Sequence, residues 1–347
     1  MGEPTPFSER LPLGKLPPEH LMRLLAAVAP ADPRVVVGPR FGEDAAVLDF
    51  GDRYLVAKTD PITFATDEIG WYAVHVNAND VATTGARPRW FMATLLLPEG
   101  QADLAMAETI FDQMHAACQE IGAGLVGGHT EVTYDLSRPI VIGVMLGEVA
   151  RERLVTTAGA QVGDAVVLTK GVAVEATSII AREKRQALIT ETGLDASFLD
   201  RCAAFLHDPG ISVVRDAQIA TETAPVHAMH DPTEGGLATG LWELAQAAHV
   251  GLEIEAQAVP LFPETARLCA AFGLDPWGVI GSGSLLLTAA PADAERIVAA
   301  LHQAGIGAAI IGQVVPPEQG LLVHQGDSTR PLPRFQRDEI ARLFETP

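Results

Sequence analysis

The sequence predicts an α+β protein of two domains, each built on its own sheet. The chain has 347 residues, which is longer than most single domains. Hydrophobic residues make up 48% of it and aromatic residues only 5%, with many glycines and prolines, a composition typical of a compact α/β protein. Short apolar runs alternate with longer amphipathic segments along most of the chain, as expected when helices pack on sheets.

The amino-terminal half, residues 1–155, is predicted to form one sheet with helices packed on it. Leucines at helical spacing indicate a first helix over 17–29. Strands over 45–50 and 54–58 are joined by a turn at Gly51-Asp52, which indicates a hairpin. The elements expected after it are a helix capped by residues 66–68 and running toward Gly85, a strand over 90–97, a helix over 102–121, a short strand over 124–126, a polar turn beginning at Gly127, and a strand over 140–149.

The carboxyl-terminal half, residues 156–347, is predicted to be a mixed α/β domain, with the boundary falling between residues 150 and 163. Apolar runs and amphipathic segments alternate through it. The expected strands cover 165–169, 226–229, 252–255, 284–288 and 308–315, and the expected helices follow residue 171 and cover 196–206, 211–220, 236–248, 263–272 and 293–304.

Charge and hydropathy exclude several classes of function. Lys plus Arg number 24 and Asp plus Glu number 44, so the formal net charge is −20. Such a field repels nucleic acid and anionic membrane surfaces. No apolar run approaches the roughly 20 residues that a bilayer crossing needs, and the opening MGEPTPFSER does not resemble a secretory signal. We therefore expect a cytoplasmic protein without nucleic-acid or membrane partners.

The cysteines and the acidic balance limit the kinds of ligand site. Cys118, Cys202 and Cys269 are widely spaced and odd in number, which argues against a disulfide framework and against a cysteine-rich metal site. We expect each to be a small buried residue. An anionic ligand can bind to so acidic a chain only where positive charge is present locally. A divalent metal held by clustered carboxylates would bring a polyphosphate into it.

Acidic or glycine-bearing turns recur at predicted strand ends. They are GEDAA (42–46), KTDP (58–61), ND (79–80) and GGHTE (127–131), and HDPTEGGL (230–237) joins a strand to a helix. Magnesium prefers oxygen ligands, and glycine lets backbone N–H groups approach phosphates. In 230–237, Thr233 can cap the helix and the paired glycines allow a ligand to approach the backbone. Each acidic turn taken alone is also explained by an Asp that bonds its own backbone, and 230–237 by an ordinary strand-to-helix turn. Their recurrence favours a magnesium phosphate site.

The same blocks, in the same order, carry a family resemblance. GEDAAV (42–47), TD (59–60), VNANDVATTGARP (76–88), GGHTE (127–131) and MHDPTEGGLA (229–238) make the chain resemble the aminoimidazole ribonucleotide (AIR) synthetase, or PurM-like, superfamily over most of its length. This superfamily includes AIR synthetase, selenophosphate synthetase, thiamine-monophosphate kinase and the hydrogenase-maturation dehydratase HypE. The 76–88 and 229–238 blocks look most similar to the HypE type.

The resemblance implies a PurM-like fold: an amino-terminal domain that dimerises through its sheet, a carboxyl-terminal α/β domain, and ATP in the cleft where two subunits meet. It implies magnesium ligands at Asp44, Asp60 and Asp80, with Asp60 and Asp80 also catalytic, and Glu131 is a further candidate ligand. Nucleotide contacts are implied at Gly42, Asn79, Gly127, Gly128, Thr130, Asp231, Gly235 and Gly236. The expected reaction is Mg²⁺-dependent transfer of the ATP γ-phosphoryl group to an oxygen of a small-molecule substrate, where the protein supplies position and charge neutralisation.

Two departures from the HypE type affect the expected acceptor and one expected metal ligand. HypE carries its carbamoyl group on a terminal cysteine, whereas the present sequence ends IARLFETP (340–347), so we expect a related enzyme with another acceptor. His129 stands where HypE-type proteins have the Asp of Gly-Asp-Thr. Three interpretations remain for it: a phosphate contact, a ligand of a softer metal, or an ordinary turn residue.

Other functions fit the same residues. One is a non-catalytic nucleotide-binding homodimer that binds a maturation protein. Another is a kinase like thiamine-monophosphate kinase, and a third is a metal-dependent phosphohydrolase. They differ in whether ADP is released, and in whether its release requires an acceptor.

Overall fold

Two β-sheets organise the part of the chain that the structure describes. The structure is a computed structural model, and it describes residues 14–16, 18–28, 32–40, 42–63 and 67–344. The predicted α+β class is confirmed. The described elements of the first half are α1 (Pro18–Leu25), β1 (Val35–Val37), β2 (Ala46–Asp49), β3 (Arg53–Ile62), α2 (Ile69–Thr83), β4 (Arg87–Pro98), α3 (Leu104–Ile121), β5 (Gly124–Thr133) and β6 (Ile140–Ala150).

The first sheet is covered by helices on one face. Its described strands lie in the order β1-β2-β3-β6-β4-β5, and the predicted hairpin is confirmed, with Val47 of β2 opposite Val56 of β3. Every second residue of β6 is buried, among them Val141 and Met145, which belong to the core shared with α2 and α3. The other face of this strand is half-buried and carries no described helix.

Strand β5 corrects one prediction. The polar turn expected to begin at Gly127 is wrong, because β5 continues to Thr133 and pairs in parallel with β4. A strand at the edge of a sheet, exposed along almost its whole length, needs no apolar alternation, so its sequence looked like a turn. Gly128 has a φ of 151°, and a Cβ there would collide with the Ala93 carbonyl group of β4.

Helix α2 lies unusually close to β6, and two glycines permit this. A Cβ added at Gly143 would collide with the side chain of Asn77, and one at Gly147 would collide with Val81. The close approach brings the carboxyl-terminal half of α2, which carries Asp80, near β3, which carries Asp60. The turns expected at 58–61 and 79–80 are therefore wrong, because these residues lie within β3 and within α2.

The ends of the first two helices differ from the sequence prediction. α1 ends at Leu25, and residues 17 and 29 of the predicted helix lie outside the described residues. The predicted cap of α2 included Thr66, which also lies outside them. The N-cap is Glu68, and its side chain makes no cap hydrogen bond. Its carboxylate instead contacts Arg182 at 2.9 Å and His207 at 2.7 Å, both in the second half.

The second half is a mixed α/β layer, as predicted. Its described elements are β7 (Ala165–Thr169), α4 (Val174–Glu183), α5 (Arg185–Thr192), α6 (Ala196–Ala203), α7 (Val214–Thr223), β8 (Ala228–His230), α8 (Gly236–Ala248), β9 (Gly251–Glu255), α9 (Pro263–Phe272), β10 (Leu286–Ala289), α10 (Pro291–Gln303), β11 (Ala308–Val315), β12 (Leu321–Gln325) and β13 (Ser328–Pro331). Strand order among the described residues is β13-β12-β9-β11-β7-β10-β8. Two helices and two strands have the predicted bounds. α5, β12 and β13 were not predicted, and the sequences of α5 and β13 are largely polar.

The two halves share part of one core. Phe205, Leu206 and Ile211 come from the second half but are buried in the hydrophobic cluster of the first sheet. Asn79 of α2 adds a polar link, since its amide nitrogen donates to the Ile211 carbonyl and its oxygen accepts from the Val213 N–H, both at 2.8 Å. No helix of the described residues has the length and apolarity to cross a membrane.

Candidate active site at the junction of the two halves

Four of the predicted acidic residues meet around Lys58. Asp44 precedes β2, Asp60 lies on β3, Asp80 lies on α2, and Asp231 follows β8. The ammonium group of Lys58, also on β3, interacts electrostatically with all four carboxylates. Both halves of the chain therefore contribute to one site at their junction.

Lys58 bridges two of these carboxylates. Its Nζ lies 3.3 Å from Oδ2 of Asp60 and 3.2 Å from Oδ2 of Asp80. Burial opposes the charge on Lys58, but Asp80 and Asp60 together raise its pKa above the usual value. Burial also raises the pKa of Asp80 well above its usual range, against the attraction of Lys58. Sequence reasoning gave Lys58 no role, although its position two residues before Asp60 in the KTD motif was an available signal.

His230 holds Asp44 from the other side of the site. Its Nδ1 lies 2.7 Å from Oδ2 of Asp44, and its Nε2 lies 3.0 Å from Oε2 of Glu243 on α8. Burial disfavours the imidazolium, but Asp44 and Glu243 raise the pKa of His230 well above its usual value. Burial likewise disfavours ionised Asp44, and His230 nevertheless holds its pKa below the usual range. Asp44, His230 and Glu243 therefore form a buried network of ion pairs that fixes the Asp44 carboxylate. Neither His230 nor Glu243 was identified from the sequence.

Asp231 is a buried carboxylate with no hydrogen bond to the described residues. It is 1% exposed, and no described residue hydrogen-bonds to either of its side-chain oxygens. Burial, and then repulsion from Asp44, raise the pKa of Asp231 to about 7. Ligand atoms of Asp44, His230 and Asp231 lie within 4.8 Å of one another. A buried carboxylate of this kind requires a proton or a cation, and a donor set made mostly of carboxylate oxygens fits a divalent ion such as Mg²⁺.

Asn77 fixes the backbone of Asp60. The Asp60 N–H donates to Oδ1 of Asn77 at 2.8 Å, and Nδ2 of Asn77 donates to the Asp60 carbonyl at 3.3 Å. Asn77 was not recognised as a site residue. The predicted nucleotide contact at Asn79 stays a prediction. The nitrogen and the oxygen of its side-chain amide both hydrogen-bond to the backbone of the second half.

The glycine turn before α8 differs from the predicted turn in two respects. The predicted Thr233 cap is wrong, because the N-cap of α8 is Gly235, and the Thr233 hydroxyl accepts from Nζ of Lys15 at 3.3 Å. Gly235 and Gly236 have φ values of 82° and 62°, which favour glycine. The N–H of Gly235, which we expected to approach a phosphate, donates to Oδ2 of Asp338 at 2.7 Å.

Asp338 ties the carboxyl-terminal segment to this turn. It is 5% exposed, and it also accepts hydrogen bonds from the N–H groups of Ile280 and Ile340. Burial raises its pKa to about 6 in spite of these donors. A buried carboxylate far along the chain therefore positions the turn, which no local pattern indicated.

Gly42, another predicted nucleotide contact, packs against α8. Its φ is 84°, and an added Cβ would lie 3.0 Å from the Ala247 methyl group.

Residues 127–131 lie apart from the four aspartates within one chain. Strands β6 and β4 separate β3 from β5, and at about 4.8 Å per strand spacing this is roughly 14 Å. The side chains of His129 and Glu131 contact each other at 3.1 Å and are 66% and 52% exposed. Gly127, Gly128, Thr130 and Glu131 therefore do not join the aspartate cluster of their own chain, and their ligand roles stay predictions.

Fold and site together define a two-domain enzyme of the AIR synthase related family, to which the chain belongs. Residues 42–149 match the family model "AIR synthase related protein, N-terminal domain", and residues 161–324 match the corresponding C-terminal domain. The PurM-like resemblance is confirmed.

Within this superfamily the chain is HypE-like. It is 31% identical over 288 residues to carbamoyl dehydratase HypE of Rhizobium leguminosarum bv. viciae, which covers 80% of this chain and 78% of that protein. A crystal structure of HypE in complex with ATP matches with a TM-score of 0.69 and 26% identity, covering 91% of this chain and 90% of that one. HypE in a HypE–HypF complex matches with a TM-score of 0.72 at 22% identity, covering 84% and 93%, which shows the shared fold.

Proposed function

We propose that this protein binds Mg²⁺ and ATP and transfers the γ-phosphoryl group to an oxygen of a small metabolite. The observation that carries the proposal is the buried Asp231 carboxylate, which has no described hydrogen-bond partner and lies beside Asp44. Asp60 and Asp80 extend the acidic site through Lys58. The ATP complex of a HypE relative supports the choice of nucleotide.

The acidic site explains why a metal would be required. Four carboxylates repel a polyphosphate, and in a buried site this repulsion is poorly screened. Asp44, Asp60, Asp80 and Asp231 would hold the ion, which when bound neutralises phosphate charge. The chain's other residues keep this donor set in place: His230 orients Asp44, and Asn77 fixes the backbone of Asp60.

In this proposal the phosphoryl acceptor is a separate molecule and is not carried by any of the chain's three cysteines. Cys118, Cys202 and Cys269 are buried, and burial raises their thiol pKa values to about 11, 11 and 12. None is a thiolate at neutral pH, so none can attack a phosphate or hold the acceptor group. In the proposed step the acceptor oxygen bonds to the γ-phosphorus and the bond to the β-phosphate oxygen breaks. ADP leaves with the bridging oxygen, the acceptor group gives up one proton, and the phosphorylated oxygen can then depart as phosphate. For a carbamoyl acceptor the net change is loss of water, the reaction in the name of the HypE relatives.

We further propose that the chain is a homodimer joined through the first sheet. Large apolar side chains are exposed on β4, on β5 and just after β5: Trp90 is 37% exposed, Val126 55%, Val132 59% and Tyr134 74%. Pairing of this region between two copies would bury them, and it would let residues 127–131 serve a site shared by two subunits. A maturation protein is the other candidate partner, because a HypE relative is described in complex with HypF. We expect Val132→Asp to convert the dimer to a monomer in light scattering; a wild-type monomer at micromolar concentration would exclude the homodimer.

Calorimetry and ADP release test the function together. We expect the wild type to release or absorb heat when ATP is added with Mg²⁺, and little heat when ATP is added without it. The Asp231→Asn variant should bind ATP with Mg²⁺ at least tenfold more weakly than the wild type. Asp327→Asn, in the turn between β12 and β13, is the matched control, and it should bind as the wild type does. ADP release that rises with one metabolite supports phosphoryl transfer, and thiamine monophosphate as that metabolite would select the kinase alternative. Release without an acceptor would indicate a phosphohydrolase, and binding without turnover would indicate a nucleotide-binding scaffold.

A further inference from the structure

Lys58 occupies an unusual place for a cationic side chain. It lies on β3, its side chain is 19% exposed, and it reaches the aspartate site from within the sheet. Residues 56, 58, 60 and 62 of β3 share one face, because successive side chains of a strand alternate between faces. Val56 and Ile62 on that face are buried in the first core. The strand that carries Lys58 is therefore anchored in the core on both sides of it, and its ammonium group lies in the site.

The ammonium group contacts carboxylate oxygens that a divalent ion would also need. Oδ2 of Asp60 and Oδ2 of Asp80 lie 3.3 and 3.2 Å from Nζ. Mg²⁺ binds carboxylate oxygens at about 2.1 Å and is small and strongly charged. An ammonium group and a divalent ion on the same oxygen atoms repel each other, most strongly at the buried Asp80. A bare metal ion must therefore displace Lys58 from at least one of these aspartates.

The other cations near the site are held by other groups. His230 has both ring nitrogens engaged, by Asp44 and Glu243. Lys15 donates to the hydroxyl group of Thr233. Among the described residues, Lys58 is thus the cation within ion-pair distance of Asp60 and Asp80, and once displaced from them it needs another anion in the site.

We propose that Lys58 couples metal binding to nucleotide binding: its ammonium group competes with a divalent ion for Asp60 and Asp80, and contacts the terminal phosphate of a metal–nucleotide complex. Bare metal then binds weakly because Lys58 loses its carboxylate partners. Metal bound together with a nucleotide binds tightly because a phosphate oxygen replaces those partners. Lys58 also neutralises charge on the group to be transferred. This inference rests on the proposed function, since it assigns a phosphate contact within that site.

The test compares two affinities in three proteins: wild type, Lys58→Gln and the control Lys184→Gln. Lys184 lies after α4, and its ammonium group is over the ring of Phe344. The first affinity is that of Mn²⁺ alone, measured by electron paramagnetic resonance. The second is that of a non-hydrolysable ATP analogue in saturating Mn²⁺, measured by calorimetry. We expect Lys58→Gln to bind Mn²⁺ alone at least tenfold more tightly and the analogue at least tenfold more weakly, and Lys184→Gln to change neither by more than twofold.

The opposite signs distinguish the proposal from a structural role, because a distorted site would weaken both affinities. Weaker or unchanged Mn²⁺ binding by folded Lys58→Gln, including no detectable binding by either protein, would overturn it. If Lys58→Gln does not fold, the wild type alone decides: we expect the analogue to tighten Mn²⁺ binding at least tenfold, and equal Mn²⁺ affinity with and without it would overturn the coupling. A wild type that binds no analogue at all would refute the proposed function itself.

Discussion

Replacing Glu175 with Gln should change how the stability of the protein depends on pH. Glu175 lies in the first turn of α4, is 5% exposed, and its Oε2 has no hydrogen-bond partner among the described residues. Burial raises its pKa from 4.5 to about 7, although a hydrogen bond with Ser282 acts in the opposite direction. Between these values the unfolded chain loses a proton that the folded chain retains. The contribution of Glu175 to stability is therefore fully present below pH 4.5 and is lost as the pH rises through 7.

The magnitude follows from the same pKa difference. At about 1.36 kcal/mol per pH unit, a rise from 4.5 to about 7 corresponds to roughly 3 kcal/mol. Glu175→Gln has no such loss, so its stability relative to the wild type should increase by up to roughly 3 kcal/mol between pH 4.5 and pH 8. At about 2–4 °C per kcal/mol, the Tm difference should change by up to roughly 10 °C.

Thermal unfolding followed by near-ultraviolet circular dichroism at several pH values measures this change. The matched control is Glu183→Gln, at the exposed end of the same helix, and its Tm difference from the wild type should stay constant with pH. A constant Tm difference for Glu175→Gln as well would show that the buried carboxyl does not retain its proton, and it would refute the reasoning.

Three further predictions concern the residues that hold the site. Gly143→Ala places a methyl group against Asn77, so we expect a loss of about 1–3 kcal/mol in thermal unfolding; wild-type stability would contradict the close packing of α2. Asn79→Ala leaves two buried backbone groups of the second half unpaired, and we expect urea unfolding to show a loss of about 2–4 kcal/mol, with a smaller loss for Asn79→Asp. Asp338→Ala should speed hydrogen exchange at the Gly235 amide at least tenfold while Asp338→Asn restores part of the protection, and unchanged exchange would rule out the positioning role.

Much of the fold could be predicted because its signals are local. The helix over 236–248 and the strand over 308–315 follow from periodicity and from glycine or proline at their ends, and the structure gives the same bounds. Predictions failed where a distant partner replaced a local one. Glu68 bonds Arg182 and His207 rather than capping α2, and the polar strand β5 obtains its hydrogen bonds from β4.

The aspartates of the site were identified in the sequence, but the groups that control them were not. Motif order indicated Asp44, Asp60, Asp80 and Asp231, since each lies in a short motif of neighbouring residues. The partner of Asp44 is His230, which is 186 positions away in the chain. No periodicity or turn pattern extends over such a separation.

By itself, then, the sequence determined the class of fold, the order of most elements and the acidic residues, because backbone preference and hydrophobic period act over a few neighbouring residues. Only the tertiary structure decided that Lys58 bridges Asp60 and Asp80 and that Asp231 has no hydrogen-bond partner in the described part of the chain. It also placed residues 127–131 on a separate edge of the sheet. Burial, ion pairing and proton affinity depend on which distant side chains the completed sheets and helices bring within a few ångströms of one another.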